Sequence, residues 1–166
     1  MPTPRLELSV QYACGVKDLP KRSEVRAWAR AALHPDRARG AEIAIRFVGE
    51  EEARTLNRDY RRKDAATNVL SFSYETDPLL QGDLVVCVPV LEREAAELGI
   101  SMSARCAHLI VHGLLHLQGY DHETGEEDAT AMEAQEREIM ASLGFPDPYS
   151  TDSTPSSPVS CALAPE

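Results

Sequence analysis

Four of the five histidines lie in the fifteen-residue segment HLIVHGLLHLQGYDH, at positions 108, 112, 116 and 122. His112 and His116 are four residues apart on a predicted helix, and side chains with that spacing lie on the same helical face. Imidazole nitrogens bind transition metals at about 2.0–2.1 Å, so two histidines stacked in this way can share one ion. The spacing therefore predicts a metal site with His112 and His116 as ligands.

The third ligand is a choice between His108 and His122. His108 and His116 are separated by about 12 Å along a straight helix, which is too far for both to bind one ion. Gly119 allows the chain to leave the helix, so that His122 can return as the third ligand. Three protein ligands leave a position open for water, which is typical of catalytic sites. We expect one zinc ion on His112, His116 and His122, although imidazole also suits nickel, copper and iron, and we expect His108 to support a ligand or to lie in the core.

Two neighbouring residues refine this site. Gly113 costs about 1 kcal/mol in a helix relative to alanine, which predicts a close approach by another backbone, the metal or a substrate. It also occupies the position at which the H-E-x-x-H proteases carry their glutamate base, so that type of protease is disfavoured. Asp121 is predicted to accept a hydrogen bond from a ligand N–H.

The rest of the chain alternates between strand and helix patterns, which predicts how the histidines are positioned. Alternating or continuous apolar residues predict strands at 6–10, 43–47, 68–74 and 84–88. Capping residues and apolar stripes predict helices that start near Ser23, Glu50, Pro89, Ser103 and Thr124. The continuous apolar run at 84–88 is expected to be central in the sheet. We therefore predict an α+β fold, a single domain with a mixed sheet of about four strands packed with about five helices.

Composition limits the location and partners of the chain. Its net charge of −10 disfavours nucleic-acid binding unless a local basic patch outweighs it. The chain has no secretory pattern at its start and no apolar run near the roughly 18 residues of a membrane span, so we expect a cytoplasmic protein. Its four cysteines form no C-x-x-C pair and are predicted to be reduced thiols. Residues 1–146 are assigned to one domain, and 147–166 to a flexible Pro/Ser-rich tail.

Three sequence blocks resemble one known family. The segment HGLLHLQGYDH at 112–122 resembles the H-G-x-L-H-L-x-G-Y-D-H signature of the YbeY family. Members of this family are bacterial rRNA-processing endoribonucleases. LNRDYRRKDAATNVLSFSYE at 56–75 and GDLVVC at 82–87 resemble two further blocks of that family. Their order and spacing agree over roughly residues 40–146.

The resemblance implies a metal-dependent, single-strand-specific endoribonuclease with a zinc ion on three histidines. It implies a role in 16S rRNA 3′-end maturation and ribosome quality control, with rRNA or its precursor as substrate and the small ribosomal subunit and its assembly proteins as partners. DNA and membranes are not expected. The family's ligands correspond to His112, His116 and His122, and its functional arginine corresponds to Arg61. Arg61 lies in the dense basic cluster at 58–63, where it could bind a phosphate through two parallel hydrogen bonds.

Two other functions remain open from the residues alone. One is a metal-dependent hydrolase of peptides or small molecules. Its protease form is disfavoured by Gly113, which stands where a glutamate base would be needed. The other is a non-catalytic ribosome-assembly factor with a structural metal. Three ligands rather than four disfavour a structural ion, whereas the net charge of −10 is compatible with a protein partner.

Overall fold

The structure is a computed structural model that describes residues 5–13, 19–33, 40–61, 68–75, 79–119 and 126–149. Within these ranges, the side chains at 60, 61, 126 and 128 are not described. The described residues form four strands and five helices. The strands are β1 (Arg5–Tyr12), β2 (Gly40–Val48), β3 (Val69–Glu75) and β4 (Leu80–Cys87). The helices are α1 (Arg22–Ala32), α2 (Glu50–Arg61), α3 (Val88–Leu98), α4 (Met102–Leu117) and α5 (Glu126–Ser142).

The described strands form one mixed sheet in the order β1-β2-β4-β3. β1 pairs in parallel with β2, and β2 in parallel with β4. β3 is antiparallel to β4, with Ser71 opposite Leu84. Leu84, Val86 and Cys87 are fully buried in the central strand β4, as expected for a sheet covered on both faces. The predicted α+β fold, with its mixed four-stranded sheet, single domain and five helices, is confirmed.

Two apolar clusters lie on opposite faces of the sheet. The larger one packs α1, α4 and α5 against Ile43, Ile45 and Leu84, whose side chains point to one face. The smaller one lies on the other face and includes Ala53 of α2 and Leu70 of β3. Because side chains alternate between faces along a strand, β2, β3 and β4 contribute to both clusters, whereas the apolar residues of β1 join only the larger one.

Helix α4 is central to the larger cluster and carries two of the predicted ligands. It is buried along almost its whole length, and its buried residues include the polar side chains of Arg105, His108 and His112. It begins after Ser101, whose Oγ accepts a hydrogen bond from the Ala104 N–H at 3.0 Å. It ends before Gly119, whose φ of 104° is left-handed, so the predicted stop at this glycine is confirmed. A helix held in this way fixes the direction of its histidine side chains.

Some local expectations need correction. Ser23 was predicted to cap α1, but the cap is Lys21, whose backbone N–H donates to the Glu24 carboxylate at 3.0 Å. Tyr74, near the end of β3, is 63% exposed because the smaller cluster does not extend to that end of the strand. The predicted cap of α5, Thr124, lies outside the described residues.

Within the described ranges, no single helix is long and apolar enough to cross a membrane. Only α3 and α4 together reach that length and composition, and they are bent by 115° at their junction.

Candidate metal centre

Helix α4 presents His112 and His116 one turn apart. His112 is 4% exposed, and His116 is half-buried. His122 and Asp121 lie outside the described residues, so the predicted third ligand and its neighbour remain predictions. In the described part of the chain, no group of three His, Cys, Asp or Glu side chains is arranged to hold a metal ion. The structure therefore places two of the three predicted ligands on one helix and does not test the third.

A buried glutamate from α5 holds the histidines of α4. Glu136 is 1% exposed, and its carboxylate lies 2.5 Å from His108 Nε2 and 3.1 Å from His112 Nδ1. Burial alone would raise the pKa of Glu136, but the hydrogen bonds from the two histidines outweigh it and lower that pKa. Because an ionised carboxylate only accepts hydrogen bonds, His108 Nε2 and His112 Nδ1 both act as donors.

Arg105 supports the tautomer of His108 from the other side of the ring. Its Nη1 lies 3.4 Å from His108 Nδ1, and a guanidinium can only donate, so this contact favours Nδ1 as an acceptor. The proton of the neutral ring is then on Nε2, which faces Glu136. Burial lowers the pKa of His108, which favours this neutral form.

The Arg105 guanidinium is itself held by an ion pair with α3. Its Nη2 and Nε groups donate to Glu94 Oε1 at 2.7 and 3.0 Å. Asn68, just before β3, donates to the same carboxylate at 3.2 Å. These contacts form a continuous hydrogen-bonded chain from β3 and α3 through α4 to α5.

Tyr149 closes this chain from the C-terminal side. Its hydroxyl donates to Glu136 Oε1 at 2.6 Å, and its ring packs edge-on against His108 with 5.3 Å between centroids. Burial and the negative charge of Glu136 raise the pKa of Tyr149, so its proton is retained. Tyr149 lies in the segment predicted as a flexible tail from 147 onward, and residues 150–166 of that segment lie outside the described residues. We call Arg105, His108, His112, Glu136 and Tyr149 the Glu136 network.

The donor set fits a transition metal. With its Nδ1–H bonded to Glu136, His112 has its lone pair on Nε2. Nε2 of His112 and Nδ1 of His116 are both buried, and neither makes a hydrogen bond to the described residues, although both histidines have other interactions. A carboxylate behind one imidazole is a common arrangement around metal-binding histidines. Imidazole nitrogens of this kind can bind zinc and other late transition metals.

The close approach predicted at Gly113 is made by a side chain of the core. A Cβ built at this position would lie 2.7 Å from Leu84 Cδ2 and 3.1 Å from Leu84 Cδ1. Among the described residues, the close approach is therefore made by a core side chain of β4 rather than by another backbone. Gly113 allows α4 to pack closely on the sheet at this point.

The comparisons with known proteins identify the family. The Endoribonuclease YbeY family matches residues 14–144. The chain belongs to the YbeY family. It is 53% identical over 153 residues to the Endoribonuclease YbeY of Burkholderia lata, covering 88% of this chain and 87% of the relative. It is 52% identical over 149 residues to that of Methylobacillus flagellatus, covering 90% and 97%, and 54% identical over 148 residues to that of Aromatoleum aromaticum, covering 87% and 93%.

A solved structure agrees on the fold. The solution structure of TM1509 from Thermotoga maritima matches with a TM-score of 0.55 at 22% identity, covering 90% of this chain and 99% of that one. This likeness supports the fold alone. The predicted membership of the YbeY family, made from three sequence blocks, is confirmed by the family match.

The arginine expected from the YbeY resemblance is described only in its backbone. Arg61 is the last residue of α2, and its side chain is not described. Arg62 and Lys63 lie outside the described residues, and Arg58 lies 3.6 Å from the Asp59 carboxylate. The distance of Arg61 from the histidines is therefore untested, and its role stays a prediction.

The sequence analysis missed Glu136, which is the residue that organises the histidines. One signal was present in the sequence. Glu136 lies on the same helical stripe as Met132 and Ile139, both of which are buried. A carboxylate at a core position of an amphipathic helix requires buried donors, because burying an unpaired charge is costly.

Proposed function

We propose that this chain is a metal-dependent endoribonuclease that acts on 16S rRNA near its 3′ end, with His112, His116 and His122 as metal ligands and Arg61 as a phosphate-binding residue. As a member of the YbeY family, the chain is an endoribonuclease, a hydrolase of RNA phosphodiester bonds. Its substrate is therefore RNA. The metal, the rRNA site and the ribosomal partners go further and are our proposal.

The observation that carries the metal site is the hydrogen bond between His112 Nδ1 and Glu136. It leaves Nε2 as the ring nitrogen with a lone pair, on the helix that also carries His116 one turn later. His122 would complete three imidazole ligands, a set that suits zinc with one position left open. When bound, such an ion makes water more acidic and polarises a phosphoryl oxygen.

The protein's own residues have separate tasks around that ion. The Glu136 network holds His112 in place, and its burial excludes water from the side of the ring that faces α5. Arg61 would bind the scissile phosphate through two parallel hydrogen bonds and stabilise the negative charge that develops there. With a net charge of −10, the chain lacks a general attraction for RNA, so phosphate contacts must be local.

The charge also bears on the proposed partners. A strongly acidic chain gains little affinity from RNA alone, whereas contacts with proteins tolerate such a charge. We therefore propose the small ribosomal subunit and its assembly proteins as partners that bring the enzyme to its substrate. With rRNA as its substrate, we propose that the chain acts in the cytoplasm.

The test is cleavage of a single-stranded rRNA fragment, with the matching duplex as comparison. Wild-type protein should cut the single strand, and a chelator should abolish cutting until zinc is restored. His116→Ala should lower the rate about 100-fold or more by removing a ligand, and Arg61→Ala about 100- to 1000-fold by removing a charge-stabilising donor. Arg61→Lys should recover only part of this loss, since lysine keeps the charge but lacks two parallel donors.

His34→Ala is the matched control, because His34 lies outside the histidine motif, and its activity should equal wild type. Cutting that survives both chelator and His116→Ala would indicate a contaminant and contradict the proposal. Zinc-dependent cleavage of peptides with no cleavage of RNA would instead favour a peptide hydrolase.

A further inference from the structure

The Glu136 carboxylate receives three hydrogen bonds in a buried position. The donors are His108 Nε2, His112 Nδ1 and the Tyr149 hydroxyl, at 2.5, 3.1 and 2.6 Å. Each of these groups must donate, because the ionised carboxylate only accepts hydrogen bonds. At His108 the Arg105 guanidinium, 3.4 Å from Nδ1, favours the same Nε2–H tautomer.

We propose that Glu136 is a positioning residue that holds His112 as its Nδ1–H tautomer and so presents the Nε2 lone pair for metal binding. This inference rests on the metal site of the proposed function, and it adds a residue of α5 that touches neither RNA nor the ion. His108 and Tyr149 have a supporting role, because each fills a lone pair of the carboxylate and fixes its orientation.

The geometry favours this role over a purely structural one. A buried carboxylate that served only stability could be satisfied by any three donors. Here one donor is the imidazole predicted to bind the metal, and the bond is made by Nδ1, which leaves the ring's lone pair on Nε2. The acceptor comes from a different helix, so the orientation of the His112 ring depends on how α5 packs against α4.

The first test needs no variant. Long-range ¹⁵N–¹H NMR on the metal-free full chain, at slightly alkaline pH, distinguishes the two neutral tautomers of each histidine. We expect His112 as the Nδ1–H form and His108 as the Nε2–H form. Observation of the Nε2–H form at His112 would overturn the proposal, whether or not any variant folds.

The second test is Glu136→Gln, which keeps the shape of the side chain. The amide offers one accepting oxygen and one NH₂ group, so it cannot accept from both histidines at once. Zinc affinity, measured by titration against a chromophoric chelator, should fall about 10- to 100-fold, as is typical when the partner of a ligand histidine is lost. Circular dichroism of the metal-free protein establishes that the variant is folded.

Glu138→Gln is the matched control, since Glu138 lies exposed on the same helix two residues later. It should leave both the zinc affinity and the histidine tautomers unchanged. Tyr149→Phe should weaken zinc binding less than Glu136→Gln, because it removes one support of the carboxylate and leaves the carboxylate in place.

The outcomes separate this inference from the proposed function. If wild-type protein binds zinc and cuts RNA while Glu136→Gln binds zinc equally well, the inference fails and the proposed function stands. If wild-type protein binds no zinc, the proposed metal site fails, and the tautomer of His112 still decides whether Glu136 orients the ring.

Discussion

Replacing Arg105 with methionine removes a buried cation while retaining most of its apolar stem. The Arg105 side chain is 1% exposed, and its guanidinium donates twice to Glu94 Oε1, at 2.7 and 3.0 Å. Glu94 is 14% exposed and, among the described residues, keeps only the hydrogen bonds from Asn68 once Arg105 is lost. A buried charge is thus left without its main partner.

The expected cost follows from that burial. Breaking a buried ion pair by removing one partner destabilises proteins by about 3–5 kcal/mol. Because Glu94 retains some solvent contact, we expect the lower end, about 3 kcal/mol, for Arg105→Met. The loss of a donor to His108 Nδ1 adds little, because that contact is long at 3.4 Å.

Urea unfolding followed by circular dichroism measures this cost, with Arg93→Met as the control. Arg93 is exposed on α3, so its replacement should change the free energy of unfolding by less than about 0.5 kcal/mol. The double variant Arg105→Met/Glu94→Met should be more stable than Arg105→Met alone, because no unpaired charge remains. A cost below about 1 kcal/mol for Arg105→Met, or a double variant less stable than the single one, would refute the reasoning.

Three further measurements test other parts of the structure. Tyr149→Phe should lower the free energy of unfolding by about 1.5–3 kcal/mol by removing a hydrogen bond to the charged Glu136, and an unchanged urea midpoint would contradict this. Gly82→Ala should lower the free energy of unfolding by about 1–3 kcal/mol, because the added Cβ would lie 2.9 Å from the Phe72 carbonyl oxygen, which is held in the sheet. Thermal unfolding measures this cost, and an unchanged stability would contradict it. Burial lowers the pKa of His108 below 6.5, so as the pH falls the unfolded chain binds a proton before the folded chain does. The stability that neutral His108 contributes is therefore fully present above pH 6.5 and is lost as the pH falls below it. The urea midpoint should fall at mildly acidic pH, and His108→Gln should reduce that fall.

The fold could be predicted where one local pattern dominates. The apolar run at 84–88 identified the central strand, and Gly119 identified the end of α4, because both signals act on neighbouring residues. The N-terminal cap of α1 could not be chosen in this way. Ser23 has a suitable side chain, but the observed cap uses the backbone of Lys21 with the Glu24 carboxylate, an arrangement that depends on where the preceding chain enters the helix.

The candidate site shows the same limit more sharply. The spacing of His112 and His116 is a property of one helix, so it could be seen in the sequence. Their partner Glu136 is 24 residues from His112 along the chain, and its role depends on how two helices pack. Gly113 could be recognised as a position where another group packs closely against α4. The group itself, the Leu84 side chain, belongs to a strand that only the tertiary structure brings beside this helix.

Elemental analysis of protein reconstituted with zinc and then dialysed tests the central claim most directly. The account predicts about one zinc ion per wild-type chain and per His34→Ala chain, and a large loss in the His112→Ala/His116→Ala double variant, because two of three imidazole ligands are gone. A wild-type chain that retains no zinc, or a double variant that retains as much as wild type, would contradict it.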